Sequence, residues 1–531
     1  MFNEQEQKLQ QFIDEHVAKV NPLFEKFKLA GWNAYANGKD ENWEISAKAD
    51  QDYEMVYNDA KDYVKLVEFQ KSGEINDSLL KRQLHILVNS YKGNQIPKDL
   101  LEIMISKEKE VEKIGNNYRG KVDEKEMTRN EMEDIFDNSN DNELRRKVWE
   151  AQKSIGPVII EPLMELVKLR NKAATHLGYN NFYQMQIELD ELNIDWLMGT
   201  FDRLYEQTED SFVKAKEEVD AILKKRFGVN EIMPWHYSDF YFQSCPKVSD
   251  FDFNEFYGKK DIVPIAKRFY AGIGLNIEEF LKKSDLYKRE GKNEHAFCEV
   301  LDKKGDVRIL MNITNTLSNM NTLLHESGHA VYSLNIDKTL PWLLKTEAHT
   351  FTTEAVAMMF GGLAYSGKWM QEEYGFSNEK AERIEEIGFD LVKKQQLIFS
   401  RWCQVMVRFE KSMYENPDQD LNHKWWDLVE KYQHVKKPES RDMPDFASKD
   451  HIYSAPVYYH CYQLGELMAA QMRNYIIENI TNSEMFKGNP KVGDYLKEKI
   501  FKPGARFEWN EMIEKATGEG LNPKHFANRY L

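Results

Sequence analysis

The segment TLLHESGHAVYSL contains two histidines four residues apart, and a glutamate directly follows the first. On a helix, His325 and His329 lie on one face about one turn apart, so both imidazoles can reach one metal ion. In this arrangement Glu326 is not a ligand, but is placed to polarise a zinc-bound water and to take its proton. The pattern predicts one zinc ion per chain, with Glu326 as the general base.

A catalytic zinc site of this kind needs a third protein ligand and keeps the fourth position for water. The downstream candidates are Glu347, His349 and Glu354. The first two lie in PWLLKTEAHT, a stretch typical of a loop. Glu354 lies in TTEAVAMMFGGLAYSG, which predicts an apolar helix capped at Thr352 or Thr353. Glu354 is either the third zinc ligand or a residue that only stabilises the N-terminus of this helix through the helix dipole. Spacing alone does not decide between these two roles.

The helix that carries the histidines is predicted to be buried, with an N-cap at Asn321 or Thr322. Its polar residues interrupt an apolar stretch, and burying them costs several kcal/mol unless they are paired, which a metal would achieve. The alternative is a chance match, because short motifs also occur in proteins that bind no metal.

The dominant pattern along the chain is helical periodicity, for example in the long stretch 195–227 that ends before Gly228. Glycine (27 of 531) and proline (15 of 531) are sparse, which favours long helices over a β-sandwich or barrel. The segment His295–Ile313 has two apolar runs around DKKGD and predicts a β-hairpin. We expect a mainly α-helical fold with this small β-element before the motif. We also expect a single peptidase domain over 1–531, with an N-terminal helical part up to about 230 and a catalytic part from about 231.

Composition narrows the function class. The formal net charge is −16, so nucleic acid is not an expected partner. The acidic charge would weakly favour basic peptides.

The four cysteines show no CxxC spacing, which argues against a disulfide scaffold and against a cysteine zinc site. The N-terminal residues do not resemble a signal peptide, and no apolar run is long enough to span a membrane, so we expect a cytoplasmic protein. The sequence does not indicate an oligomeric state.

Four segments resemble a known family. The HExxH motif is followed by a glutamate 25 residues after its second histidine. This pattern resembles the helical gluzincin zinc peptidases, a superfamily of angiotensin-converting enzyme, thimet oligopeptidase and oligopeptidase F, and most of all the bacterial peptidases that are similar to the converting enzyme. The segment HAFCEVLDKKGDVRIL resembles the HASAWD edge strand of the converting enzymes, and TTEAVA resembles the glutamate helix of oligopeptidase F. The segment ASKDHIYSAPVYYHCYQLGE resembles AAKFHIPSSVPYIRY of the converting enzymes and PHFYYAPFYVYQYATG of oligopeptidase F.

The resemblance implies a two-lobed helical fold around a deep channel that admits short unstructured peptides. It implies Glu354 as the third zinc ligand, and His295 and Ala296 as contacts for the substrate backbone. It also implies that His451 hydrogen-bonds the tetrahedral oxyanion.

The second oxyanion donor is left open by the resemblance. Alignment on Pro456 puts His460 at the position of the family tyrosine, whereas alignment on the YY pair offers Tyr458 or Tyr459. A histidine can donate the same hydrogen bond. The arginine associated with chloride in the converting enzymes has no clear match, which argues against chloride activation.

Lys449 stands two residues before His451, where a converting-enzyme lysine binds the C-terminal carboxylate of the substrate, and Gln243 would be its partner. A clamp of this kind implies a peptidyl-dipeptidase, which releases dipeptides from the C-terminus. The alternative is a solvated surface lysine, which would favour an oligoendopeptidase of the oligopeptidase F type. A third possibility, an inactive peptide-binding protein on the same scaffold, is disfavoured because the motif residues and His451 are intact.

Overall fold

The computed structural model describes residues 2–482 and 486–531. About 70% of the chain is helical, and the described residues form two small two-stranded sheets, so the predicted mainly α-helical fold is confirmed. The helices up to residue 230 are α1 (Glu4–Asn37), α2 (Asp40–Glu54), α3 (Ala60–Ser72), α4 (Ser78–Gly93), α5 (Lys98–Asn117), α6 (Arg129–Asn138), α7 (Asn142–Lys153), α8 (Gly156–His176), α9 (Phe182–Leu189) and α10 (Ile194–Phe227). The later helices are α11 (Asn254–Tyr257), α12 (Ile262–Gly272), α13 (Glu278–Lys283), α14 (Leu317–Leu334), α15 (Thr350–Gly361), α16 (Gly367–Tyr374), α17 (Asn378–Glu415), α18 (Leu421–Gln433), α19 (His451–Ser454), α20 (Tyr459–Ile476), α21 (Pro490–Leu496), α22 (Trp509–Thr517) and α23 (Lys524–Tyr530). The strands are β1 (Gly120–Val122), β2 (Lys125–Met127), β3 (Phe297–Val300) and β4 (Val307–Leu310).

The chain forms two compact units. Unit 1 contains Met1–Gln95, Asp252–Gly388 and Leu464–Phe526. Unit 2 contains Ile96–Phe251, Phe389–Gln463 and Ala527–Leu531. The single peptidase domain with a boundary near residue 230 stays a prediction, as do the deep channel and the cytoplasmic location. Among the described helices, none is both long and apolar enough to cross a membrane.

In unit 1, the predicted hairpin is confirmed as strands β3 and β4. They pair antiparallel with Phe297 opposite Leu310 and Val300 opposite Val307. Both strands pack against α14, and the Tyr270 hydroxyl of α12 donates to the Leu324 carbonyl at 2.5 Å. The helix that carries the motif is therefore held by a β-hairpin and by a second helix.

The caps of the two site helices differ from the sequence prediction. Helix α14 begins at Leu317 and is capped by Thr316, rather than by Asn321 or Thr322, because the Thr316 hydroxyl accepts the Asn319 amide at 3.2 Å. The apolar pattern marks only the buried part of a helix and misses its more polar first turn.

Helix α15 begins at Thr350 and is capped by His349, rather than by Thr352 or Thr353. The His349 ring accepts the amide of Phe351 at 3.2 Å. Glu354 therefore lies in the second turn of α15, away from the helix N-terminus where the dipole alone would explain it.

Helices α14 and α15 approach each other closely at Gly328. A Cβ atom at this position would lie 2.7 Å from the Cα of Ala357, which real structures do not tolerate. The absence of a side chain at Gly328 thus sets the distance between the helix that carries both histidines and the helix that carries Glu354.

We expect Gly328→Ala to destabilise unit 1 by about 1–3 kcal/mol, because the two helices must move apart. Gly362→Ala is the matched control, since its backbone is right-handed helical and no atom lies within 4 Å of its added Cβ. Urea unfolding midpoints measure both variants. An unchanged midpoint for Gly328→Ala would contradict the close packing.

Candidate active site

The metal-ligating side chains of unit 1 converge on one point. His325 Nε2 and His329 Nε2 lie 3.2 Å apart. The Oε2 atom of Glu354 lies 3.5 Å from the first and 3.8 Å from the second. Glu354 is thus the one of the three candidate ligands that the structure brings to both histidines. His349 caps α15, and Glu347 accepts a hydrogen bond from Thr346 at 2.8 Å.

These separations fit a tetrahedral zinc ion. With Zn–N and Zn–O distances of about 2.0–2.2 Å, two tetrahedral ligand atoms lie about 3.3–3.6 Å apart, within about 0.2 Å of the three separations. Two imidazoles and one carboxylate also make up the donor set of a catalytic zinc site with one open position. The residues present therefore fit the metal that the motif predicts.

The electrostatics of the cluster also favour a cation. Burial lowers the pKa of His325 to about 3 and that of His329 to about 4, so both rings are neutral and offer lone pairs. Burial and the nearby Glu466 raise the pKa of Glu354 to about 7. A metal ion would offset the cost of the buried carboxylate charge.

Glu326 lies beside the cluster and is 8% exposed. Burial, together with the charge of Glu354, raises the pKa of the Glu326 carboxyl to about 8, while a hydrogen bond from the backbone amide of Cys298 opposes the shift. Strand β3 therefore holds the carboxylate that the motif predicts to be the base. An acid with a pKa near neutrality suits proton transfer in both directions.

Glu326 and the three clustered residues line a cavity of about 490 Å³ in unit 1. Ala296 and strand β3 form part of its wall, and β3 pairs only with β4 among the described residues. His295 is exposed and is not part of this wall. Four lysines also line the cavity: Lys28, Lys303, Lys338 and Lys345.

The ring of His329 is oriented by a hydrogen bond on the side away from the cluster. Its Nδ1 atom lies 2.8 Å from the Thr353 hydroxyl, so Nε2 faces the cluster. With a metal on Nε2, Nδ1 would carry the proton and donate it to Thr353. Sequence reasoning considered Thr353 only as a helix cap. The only sequence signal for this role is that Thr353 directly precedes Glu354.

In unit 2, Lys449 and Gln243 lie together. Lys449 Nζ donates to Gln243 Oε1 at 3.3 Å, and the lysine is 3% exposed. Tyr459 donates to the same oxygen at 3.5 Å. Burial lowers the pKa of Lys449, and the negative charges of Asp450 and Asp239 partly offset this decrease. The alternative of a solvated surface lysine is therefore wrong.

The turn that presents Gln243 is built by Asp239. Its carboxylate accepts the backbone amides of Tyr241 at 2.8 Å, Gln243 at 3.1 Å and Ser244 at 2.9 Å. Between them, Phe242 adopts a left-handed φ of 52°. The sequence does not reveal this role, because an aspartate in a loop is common.

His451 is held by Asp450. Its Nδ1 atom lies 3.1 Å from the Asp450 carboxylate, which also pairs with Arg129 at 3.4 Å. Burial alone would raise the pKa of Asp450. The hydrogen bond from His451 and the positive charges of Lys449 and Arg129 outweigh burial and hold this pKa well below its usual range. Since Asp450 binds Nδ1, the Nε2 atom of His451 is the one available to a ligand.

The candidates for the second oxyanion donor lie in different surroundings. Tyr458 is half-buried and packs edge-on against Tyr462, with ring centroids 5.1 Å apart. Tyr459 is directed at Gln243. His460 is 2% exposed, and its Nε2 atom faces Asp190 at 3.7 Å and Cys461 at 3.4 Å.

Glu410 supports this segment and was not found from the sequence. It is buried, and its Oε1 atom accepts the backbone amide of Val457 at 2.8 Å. Val457 adopts a φ of 58°, which is strained for a β-branched residue and costs about 1–3 kcal/mol. The bend directly before Tyr458 is therefore held by a buried carboxyl group.

Two families of known proteins match this chain. Residues 277–530 match the model of peptidase family M3, and residues 3–233 match the model of angiotensin-converting enzyme. The chain belongs to the gluzincin superfamily of angiotensin-converting enzyme and thimet oligopeptidase. Both matched families are metallopeptidases that depend on zinc in general.

Individual members of the superfamily match over long stretches. The chain is 23% identical to the angiotensin-converting enzyme-like protein Ace3 of Mus musculus, over 100% of this chain and 76% of that protein. It is 22% identical to an angiotensin-converting enzyme of Theromyzon tessulatum, over 94% of this chain and 87% of that enzyme. The enzyme of Oryctolagus cuniculus is 24% identical over 59% of this chain and 26% of its own length.

We expect Thr353→Val to weaken zinc binding about 10–100-fold, because His329 loses the hydrogen bond that orients its ring. Competition with a chromophoric chelator measures the affinity. The control is Thr322→Val on the same helix as His329. Among the described residues, the Thr322 hydroxyl bonds only to the Ser318 carbonyl of its own helix. Equal affinities for both variants would contradict the orienting role of Thr353.

We expect Glu410 to make the protein less stable as the pH rises. Burial raises its pKa to about 8 in the folded chain, whereas the unfolded value is near 4.5. Between these values the folded state holds a proton that the unfolded state has lost, so the free energy of unfolding falls with increasing pH. Glu410→Gln keeps the acceptor for Val457 and should remove this slope.

Urea unfolding at pH 5 and at pH 8 measures the Glu410 effect. Glu415→Gln, at the exposed end of the same helix, should keep the slope of the unmodified protein. A Glu410→Gln variant with the same slope as the unmodified protein would show that Glu410 is already ionised when folded.

Proposed function

We propose that the protein is a zinc metallopeptidase that acts on short unstructured peptides as a peptidyl-dipeptidase. The observation that carries the proposal is the convergence of His325, His329 and Glu354 within tetrahedral ligand distances, with buried Glu326 beside them. When bound, zinc supplies Lewis-acid chemistry, which acidifies a water molecule and polarises the scissile carbonyl.

Side chains of the protein carry out the remaining two tasks, proton transfer and stabilisation of the oxyanion. Glu326 accepts the proton of the attacking water and passes it to the leaving amine. His451, with Tyr458 or His460, donates hydrogen bonds to the oxyanion. The packing of His460 against Asp190 and Cys461 favours Tyr458 for the second bond.

Substrate positioning falls to strand β3 and to the lysine–glutamine pair. In the described part of the chain β3 pairs with no strand other than β4, so its other edge, next to Ala296 and near His295, can take an extended peptide as an added strand. The Cys298 amide of β3 is already bonded to Glu326 and is not among the groups open to that peptide. Lys449 and Gln243 offer one charge and one amide to a C-terminal carboxylate. Lys449 is buried and already faces the Asp450 carboxylate at 3.7 Å, so a substrate carboxylate would be a second anionic partner of the same ammonium group.

The test uses one internally quenched peptide with a free C-terminus and the same peptide with an amidated C-terminus. We expect the zinc-loaded protein to cut the free form two residues from its end. Glu326→Gln should lower kcat about 10²–10⁴-fold, because the variant lacks the base. Mass spectrometry of the products identifies the bond that is cut.

Lys449→Met tests the substrate end. We expect KM for the free form to rise on the order of 10²-fold and the amidated form to be unaffected, since only the first has a terminal charge. Lys216→Met removes another buried lysine of unit 2 and should leave the preference unchanged. Internal cleavage of both forms would instead indicate an oligoendopeptidase, and no zinc-dependent cleavage would indicate an inactive binding protein.

A further inference from the structure

A second group of metal-ligating side chains lies in unit 2. Cys461 Sγ and His460 Nε2 are 3.4 Å apart. Asp190 Oδ2 lies 3.7 Å from His460 Nε2 and 4.0 Å from Cys461 Sγ. Asp190 follows the last residue of α9, and the two other residues lie in the first turn of α20.

The arrangement does not suit a nucleophilic triad. In a cysteine–histidine–aspartate relay, the thiol contacts one ring nitrogen and the carboxylate orients the other. Here the thiol and the carboxylate both face the same atom, His460 Nε2. The Cys461 thiol donates to Asp190 Oδ2 at 4.0 Å, so its proton is directed at the carboxylate and not at the ring that a relay would need.

One cation satisfies all three groups at once. We propose that Asp190, His460 and Cys461 form a second metal site, for a divalent transition metal of the zinc type. With Zn–S near 2.3 Å and Zn–N or Zn–O near 2.0–2.2 Å, tetrahedral ligand atoms lie about 3.3–3.6 Å apart. The observed separations come within a few tenths of an ångström of this range.

The donor types select the metal. A thiolate and an imidazole bind zinc, cobalt and cadmium, whereas magnesium and calcium need oxygen ligands. His460 and Cys461 are each 2% exposed, but the Asp190 side chain is 45% exposed. The ion therefore enters past the carboxylate, and water completes its coordination as the fourth ligand.

The site has a consequence for catalysis. A metal on His460 Nε2 removes the proton that this atom would need to donate to an oxyanion. The site therefore makes His460 a ligand and leaves Tyr458 as the second oxyanion donor.

Cobalt distinguishes the two metal sites. A cysteine thiolate bound to Co²⁺ gives a sulfur-to-metal charge-transfer band in the near ultraviolet, and the cluster of His325, His329 and Glu354 contains no sulfur. Metal-free full-length protein titrated with Co²⁺ should bind two equivalents, one of which produces this band. Cys461→Ser should lose the band and one equivalent.

Matched variants locate the sulfur ligand. Cys245→Ser and Cys298→Ser should keep the band, and so should His325→Ala, which removes a ligand of the first cluster only. Asp190→Asn changes an exposed residue, and should weaken the band-forming equivalent about 10-fold or more without affecting folding. This variant keeps the test decisive if Cys461→Ser does not fold.

The proposal is overturned if the protein binds no band-forming equivalent. It is also overturned if the band survives in Cys461→Ser or disappears in Cys298→Ser. Failure of the catalytic site would appear separately, as loss of the equivalent that has no band.

Discussion

The close approach of α14 and α15 is the constraint on which the catalytic cluster depends. Two histidines on one helix can share a metal through local geometry alone, but the third ligand must come from elsewhere in the chain. Gly328 removes the side chain that would separate the helices, and the carboxylate of Glu354 then comes within 3.8 Å of both imidazoles. The hairpin β3–β4 packs on α14 and brings the Cys298 amide to Glu326. The three clustered side chains, Glu326 and strand β3 are thus fixed by one packing arrangement.

Burial gives this arrangement its chemical character. The same desolvation that keeps His325 and His329 neutral also raises the pKa values of Glu326 and Glu354. A site with this many buried lone pairs and acids is costly without a cation, because unpaired polar groups lose their hydration. A metal ion that bound this cluster would therefore stabilise the folded unit 1, because the three side chains are assembled only in the folded state.

Sequence reasoning reached the parts of the site that local spacing defines. The i, i+4 histidines, the adjacent glutamate, the β3–β4 hairpin and the long helix before Gly228 all depend on periodicity and turn chemistry, which act over a few residues. The predicted helix caps lie several residues too late because the first turns of α14 and α15 mix apolar residues with Ser, Asn and Thr. Asp239 and Glu410 could not be found at all, since each holds a backbone segment through a contact that only the fold creates.

The charge around the catalytic cavity also differs from what composition indicates. The net charge of −16 would favour basic peptides through long-range attraction. The cavity in unit 1 is nevertheless lined by Lys28, Lys303, Lys338 and Lys345. Lys28 pairs with Glu299 at 2.9 Å, whereas Lys303 lies over the rings of Phe24 and Trp342. Glu299, Glu326, Glu347 and Glu354 line the same cavity, so four lysines face four glutamates there. Screening shortens the reach of the distant surface acids to about 8 Å at physiological ionic strength. The formal charge that lines this cavity is therefore balanced, and the net charge of the whole chain does not describe the surroundings of the cluster.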